Sequence, residues 1–241
     1  MIDKRSPLPI YYQIEEDIKQ KIETGLYAEG EAIPSERELS EQYEVSRMTV
    51  RQAVNNLVQD GRLYREKGKG TFVAEEKIEQ KLSGMTSFTE DMSRRGMAAS
   101  SQLLDFSVIH APKDVMEKLN LEAGAFVYDI HRIRLADEQP MAYERTYIPL
   151  ELFPELTKTA VEGSLYHYIE QQQPHKIHKA SQVIEATIAD EEQVDMLGIP
   201  PSSAVLYMER ISQLADGTPF EVVKSSYRAD RYKFISDIYR T

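Results

Sequence analysis

The 241-residue chain contains no cysteine, which excludes disulfides, Cys-ligated zinc and a thiol nucleophile. Nowhere does it approach the ~18 uninterrupted apolar residues that a membrane-spanning helix needs. Pro7, Pro9, Gln13 and Glu15 interrupt the N-terminal stretch, so no charged-then-apolar leader forms there. Metal-ligand spacings, a nucleophile elbow and a phosphate-cradling glycine-rich loop are also missing. The five histidines are scattered; only His175 and His178 are close in sequence, and Pro174 and Lys176 make that stretch read as a loop. With no cofactor motif and no catalytic constellation, the expectation is a cytoplasmic protein that binds rather than catalyses. Its 41% hydrophobic and 29% charged residues suit a folded, soluble chain.

A net charge of −11 argues at first against a nucleic-acid partner. Its distribution reverses that argument. Between Val45 and Val73 there are six basic residues (Arg47, Arg51, Arg62, Arg65, Lys67, Lys69) and two acidic ones (Asp60, Glu66). Phosphates respond to the local field, because salt screens charges beyond roughly 8–10 Å. The same region has helical punctuation. Ile10, Ile14, Ile18 and Ile22 form one stripe of a helix ending near Gly25. Pro34-Ser35-Glu36-Arg37-Glu38 opens a second helix, with Ser35 and Glu38 spaced as a capping box. Ser46 caps a third, running to about Gln59 before Asp60-Gly61, with Met48, Val50, Val54 and Leu57 expected on its buried side. Arg47, Thr49 and Arg51 then sit at the start of that helix, where a recognition helix meets base edges. Two arginines alone fit a solvated helix face better than a DNA contact.

The following hairpin makes the pattern specific. Leu63-Tyr64-Arg65 and Thr71-Phe72-Val73 flank Glu66-Lys67-Gly68-Lys69-Gly70, a basic, glycine-rich tip that can lie against a phosphate or enter the minor groove. Three helices and a basic wing within about 75 residues read as a winged helix-turn-helix. From Pro34 through Ser46-Arg47-Met48-Thr49-Val50-Arg51-Gln52-Ala53 to Lys67-Gly68-Lys69-Gly70-Thr71-Phe72-Val73, the sequence resembles the DNA-binding domain of the GntR family. The resemblance implies that Arg37 joins Ser46, Arg47, Thr49, Arg51, Lys67, Gly68 and Lys69 at double-stranded operator DNA.

Residues 1–74 are thus one domain, and the charged stretch 75–81 reads as a linker. The remainder, 82–241, carries an internal repeat. Val115-Met116 through Arg132-Ile133-Arg134-Leu135-Ala136-Asp137 and Pro140 is echoed by Val194-Asp195 through Arg210-Ile211, Leu214-Ala215-Asp216 and Pro219. Each copy reads as a short helix, a strand, a turn and a second strand, with further strands at 102–109 and 177–188. The expected fold class is α+β, an antiparallel sheet flanked by helices with pseudo-twofold organisation. Aligned on their Leu-Ala-Asp triplets, the copies place Arg132 opposite Ile211 and Arg134 opposite Gln213. These two arginines are therefore unrepeated. They also share one strand face, where paired guanidiniums favour a phosphate or carboxylate, or else form ordinary salt bridges. Ser164, after Gly163, reads as the cap of a helix; a serine that only caps is the more common case, but such an N-terminus can also bind an anion.

Ser87-Phe88-Thr89-Glu90-Asp91-Met92, Arg132-Ile133-Arg134-Leu135-Ala136, Pro140-Met141-Ala142-Tyr143-Glu144 and Tyr227-Arg228-Ala229-Asp230-Arg231-Tyr232 resemble the effector-binding (UTRA) domain of the HutC subfamily, a fold shared with chorismate lyase. The resemblance implies a homodimeric repressor on a palindromic operator, released by a phosphorylated amino sugar such as glucosamine-6-phosphate or N-acetylglucosamine-6-phosphate. It implies a phosphate held by Arg132, Arg134, Ser164, Tyr166 and amides near Phe88 and Thr89, with Glu144 and Tyr227 facing the sugar. Trehalose-6-phosphate or a fructosamine phosphate are alternative effectors. A chorismate-lyase-like enzyme is a further reading, but fold kinship does not transfer chemistry.

Overall fold

The computed structural model describes residues 2–66, 68–75, 77–82 and 84–238, and the chain divides into two compact units at Glu76/Lys77. In the first unit, helix α1 (Ile10–Glu23) buries Ile14 and Ile18 completely, while Ile10 and Ile22 pack at the rim. Helix α2 (Glu36–Tyr43) starts with the expected capping box. Ser35 Oγ accepts from the Glu38 amide at 3.3 Å, and the Glu38 carboxylate accepts from the Ser35 amide at 2.8 Å. Glu44 ends it in the left-handed region at φ 51°. Two residues on, Ser46 caps helix α3 (Arg47–Gln59) by accepting from the Thr49 amide at 3.2 Å.

Helix α3 buries Val50, Ala53, Val54 and Leu57 against α1 and α2. Met48 was expected on that side but is 69% exposed. The reason is angular: at ~100° per residue, two positions before Val50 falls near the opposite face. Strands β1 (Leu63–Glu66) and β2 (Gly70–Val73) then pair antiparallel as the wing, with Tyr64 stacked on Phe72 at 5.5 Å. Leu63 and Val73 close the core beneath it.

The second unit begins with a difference from the sequence reading. Residues 78–81, expected to be linker, form strand β3 (Ile78–Lys81), which pairs parallel with the last strand, β10 (Tyr232–Ile235). Ile78 and Tyr232 bury together with Met92 and Met141. Helix α4 (Phe88–Arg94) follows, capped by Ser87 in a box with Glu90. Six long strands form the main sheet: β4 (Ala99–His110), β5 (Phe126–Ala136), β6 (Gln139–Pro149), β7 (Ile177–Ile188), β8 (Ala204–Leu214) and β9 (Pro219–Arg228). Their order is β4-β5-β6-β9-β8-β7, with antiparallel neighbours throughout.

That order reads as two three-stranded halves meeting at the β6–β9 pair, which is the expected pseudo-twofold. Helix α5 (Lys113–Leu119) precedes β5 as α8 (Glu191–Leu197) precedes β8; between the halves run α6 (Lys158–Glu162), α7 (Leu165–His167) and a π turn over Tyr168–Gln172. One sheet face carries Tyr128, Ile130, Ile148 and Phe220 against α6, α7 and the π turn. The other takes α5 over Val127, Tyr147 and Val222, and α8 over Val205. Because strand side chains alternate, Arg132 and Arg134 share the face of Ile130, beneath α6 and α7.

Candidate functional site

The first candidate surface lies on the N-terminal unit. Arg47 and Arg51 are exposed on α3, and Thr49 is half-buried between the helix and solvent. Met48, Gln52 and Asn55 are exposed on the outward side of the same helix, so its exposed face is broader than Arg47, Thr49 and Arg51 alone. Helical periodicity carries that signal: these positions lie opposite Val50, Val54 and Leu57. Arg37 is exposed and 3.8 Å from Glu41, one turn along α2. At the wing tip, Gly68 has φ 80°, a left-handed conformation that a side chain strains. Lys69 is exposed, its ammonium 2.7 Å from Glu66. Lys67 lies outside the described residues. Both wing and helix also meet an acidic residue the sequence reading passed over. The Glu36 carboxylate accepts from Arg65 at 2.9 Å and lies 3.4 Å from Arg51.

A second candidate site is a cavity over the centre of the six-stranded sheet. Strand β5 points Arg132 and Arg134 into its wall, where they are only 4% and 5% exposed. Arg132 Nη1 donates to the Val161 carbonyl at 2.6 Å, and Nη2 donates to Glu144, its register partner on β6. Arg134 stacks over the Phe88 ring, 4.8 Å from its centroid, and donates to Thr89 Oγ1 at 3.3 Å. The Nε donors of both arginines are buried with no hydrogen-bond partner among the described residues. An unmet buried donor costs about 1–3 kcal/mol, more when charged. The site therefore holds unsatisfied donors for an anion.

Of the eight residues expected at an effector, Phe88, Arg132, Arg134, Glu144, Ser164 and Tyr227 are in the wall of this cavity, and Thr89 hydrogen-bonds Arg134 beside it. Tyr166 is also in the wall, but its hydroxyl donates to Glu221 at 2.7 Å instead of standing open to a phosphate. Ser212 donates to the same Glu221 oxygen at 2.6 Å. Ser164 caps as expected, accepting from the His167 amide at 3.3 Å, although α7 is only three residues long.

The structure also revises the account of the repeat. The first hairpin turns through two residues, Asp137 and Glu138, between Ala136 and Gln139. The second turns through three, 215–217, with Leu214 and Thr218 closing it. Register then makes Leu135 opposite Pro140 equivalent to Gln213 opposite Pro219, and each hairpin has its irregularity one step further in. Arg132 is thus the counterpart of Arg210, not of Ile211, and Arg134 is the counterpart of Ser212. The two arginines are not both unrepeated. Aligning the Leu-Ala-Asp triplets ignored the extra turn residue and so shifted one copy by a position.

Arg210 lines the same cavity, with Gln182 accepting from its Nε at 3.2 Å. Three guanidiniums therefore share the cavity wall with three buried carboxylates, Asp91, Glu144 and Glu221. Burial alone would raise the Glu144 pKa, but the charges of Arg132 and Arg134 outweigh it and hold the carboxyl below its ordinary value. Burial wins at Glu221, whose pKa is raised despite hydrogen bonds from Ser212 and Tyr166 and the charge of Arg210. Burial, with repulsion from Arg132, pushes Arg134 down to about 10, which still leaves it cationic at neutral pH.

Asp91 ties the edge of the cavity to strand β3. Its carboxylate accepts from Thr86 and from Gln80, each at 2.8 Å, and Gln80 belongs to β3. Helix α4 thus contacts Arg134 through its first turn and β3 through Asp91.

Comparison with known proteins gives consistent matches along the chain. Residues 10–73 match the bacterial regulatory proteins of the gntR family, and residues 94–233 match the UTRA domain. The chain is 45% identical, over 97% of its length and 96% of the relative's, to the HTH-type transcriptional repressor NagR of Bacillus subtilis (strain 168). It is 35% identical to the mannosyl-D-glycerate transport/metabolism system repressor MngR of Escherichia coli (strain K12), over 94% of both chains. Among solved structures, PhnF from Mycobacterium smegmatis superposes with a TM-score of 0.66 at 29% identity, covering 95% of this chain and 100% of that one.

Proposed function

Since the chain belongs to the GntR family of bacterial regulatory proteins, with a UTRA domain, and is a transcriptional repressor of that type rather than an enzyme, we propose that it controls amino-sugar utilisation genes and leaves its operator when a phosphorylated amino sugar binds. The observation that carries this reading is the pair of buried arginines with unpartnered Nε donors. A phosphate group supplies both the charge and the acceptor oxygens that such donors need. Glu144, kept ionised by its arginine neighbours, suits the hydroxyl or amine donors of an amino sugar. Similarity to a repressor named NagR supports the sugar class.

On the DNA side, Arg47, Thr49 and Arg51 read base edges in the major groove, while Arg37, the Ser46 cap and the wing at Lys67–Lys69 position the helix on phosphates. Two copies of the chain pair through residues 82–241 and bind a palindromic operator in the cytoplasm. Apolar side chains left exposed on β5 and on the edge strands β4 and β7, including Val108, Phe126, Val183 and Ile188, support such pairing. Effector binding shifts the dimer toward arrangements that fit the operator poorly, and it does so only through its different affinity for the two arrangements. No described helix is long and apolar enough to cross a membrane.

The ligand class is tested by thermal shift of the full chain with glucosamine-6-phosphate, N-acetylglucosamine-6-phosphate, trehalose-6-phosphate and a fructosamine phosphate. A ligand that binds only the folded state raises the melting midpoint, by about 2.7 kcal/mol of stability at a hundred times its Kd. The amino-sugar phosphates are expected to give the largest shifts. A larger shift with trehalose-6-phosphate or the fructosamine phosphate would move the assignment to that sugar.

A further inference from the structure

Glu36, the first residue of α2, joins three elements of the N-terminal unit through one side chain. Its Oε1 accepts from Arg65 Nη2 on β1 at 2.9 Å, and its Oε2 lies 3.4 Å from Arg51 Nε on α3. All three side chains are partly exposed, at 30%, 41% and 57%. Exposed ion pairs of this kind contribute little to stability. A carboxylate on a surface that meets DNA also weakens binding through simple repulsion of the phosphates. Neither stability nor affinity accounts for the arrangement.

Orientation does account for it. An arginine fork discriminates guanine only when its plane is held in register with the base edge, and a free arginine side chain loses several rotamers on being held. A carboxylate that takes Arg51 with one oxygen and Arg65 with the other restricts both forks before DNA arrives. It also links the wing strand to α3. We propose that Glu36 is a specificity-determining positioning residue, which aligns Arg51 and Arg65 for the operator and disfavours duplexes on which they cannot be so aligned. The inference rests on the DNA-binding reading of this unit. The simpler role for a first-turn carboxylate is to favour the helix dipole, and in α2 Glu38 already serves the helix end through the capping box.

Selection of duplexes from a randomised pool by the full wild-type chain supplies the operator for the test. Fluorescence anisotropy then measures binding to that duplex and to a scrambled one, at several salt concentrations, for wild type, Glu36→Gln, Glu36→Asp and Arg65→Gln. Glu36→Gln is expected to tighten binding to the scrambled duplex and weaken binding to the selected one. The ratio between them should fall about tenfold, the discrimination of one well-placed arginine–guanine pair. Glu36→Asp, which keeps the charge, should recover part of the ratio. Equal changes on both duplexes, or an unchanged ratio, overturn the proposal and leave a helix-end role. Arg65→Gln removes one arm and leaves α2 intact. It should broaden the sequences tolerated where Arg51 reads, and an unchanged selected consensus contradicts the inference. A pool from which wild type enriches no sequence removes the DNA-binding reading and this inference with it.

Discussion

Removing Arg132 strands the Glu144 carboxylate in the cavity wall, whereas changing Arg134 takes away a cation that no carboxylate among the described residues holds directly. The two substitutions should therefore behave differently. Arg132→Ala is expected to cost about 3–5 kcal/mol of stability, the range for breaking a buried pair, as measured by urea unfolding. Arg134→Lys keeps a charge but loses the fork, so it should fold and show a strongly reduced melting shift with amino-sugar phosphates. A full shift in that variant would remove Arg134 from the ligand site. Glu144 adds a pH dependence whose sign follows from its depressed folded pKa. Its contribution is fully present above the ordinary carboxyl value of about 4.3 and is lost as pH falls through the folded value. The stability difference between wild type and Glu144→Gln should therefore shrink on acidification below that point. A difference independent of pH down to 3 would contradict the assignment.

At the scale of elements, the sequence readings succeeded where the signal was local. The capping box at Ser35, the cap at Ser46, the apolar stripe of α1 and the alternation of β5 placed the helices and aimed Arg132 and Arg134 at one face. They failed where the structure depends on a distant partner or a single inserted residue. Strand β3 looked like a charged linker because its pairing partner, β10, begins more than 150 residues later. Arg210 was hidden by one extra residue in the second hairpin, and Glu221 by a strand that gives no hint of what Tyr166 brings to it. Strand β3 also carries a prediction. Gln80 links it to α4 through Asp91, and α4 touches Arg134, so this contact connects cavity and chain segment. Gln80→Leu is expected to leave effector affinity within a few-fold while reducing the effect of effector on operator binding. An undiminished effect would exclude the Gln80–Asp91 contact from the coupling.

For the whole molecule, the proposed two-fold symmetry would turn one recognition helix and one wing into a reader of a long site. Light scattering of the full chain should give twice the chain mass, and the operator selected from a random pool should be palindromic. A monomer at micromolar concentration binding a single half-site would overturn that arrangement. The central claim is that anion binding in the sheet cavity and DNA binding by the N-terminal unit are thermodynamically linked. Its most direct test is operator affinity by fluorescence anisotropy, at fixed salt, with and without glucosamine-6-phosphate or N-acetylglucosamine-6-phosphate. At least one of them is predicted to weaken binding about tenfold or more, a coupling within the ~1–3 kcal/mol typical of allosteric linkage. Unchanged affinity at millimolar concentrations of both would contradict the account.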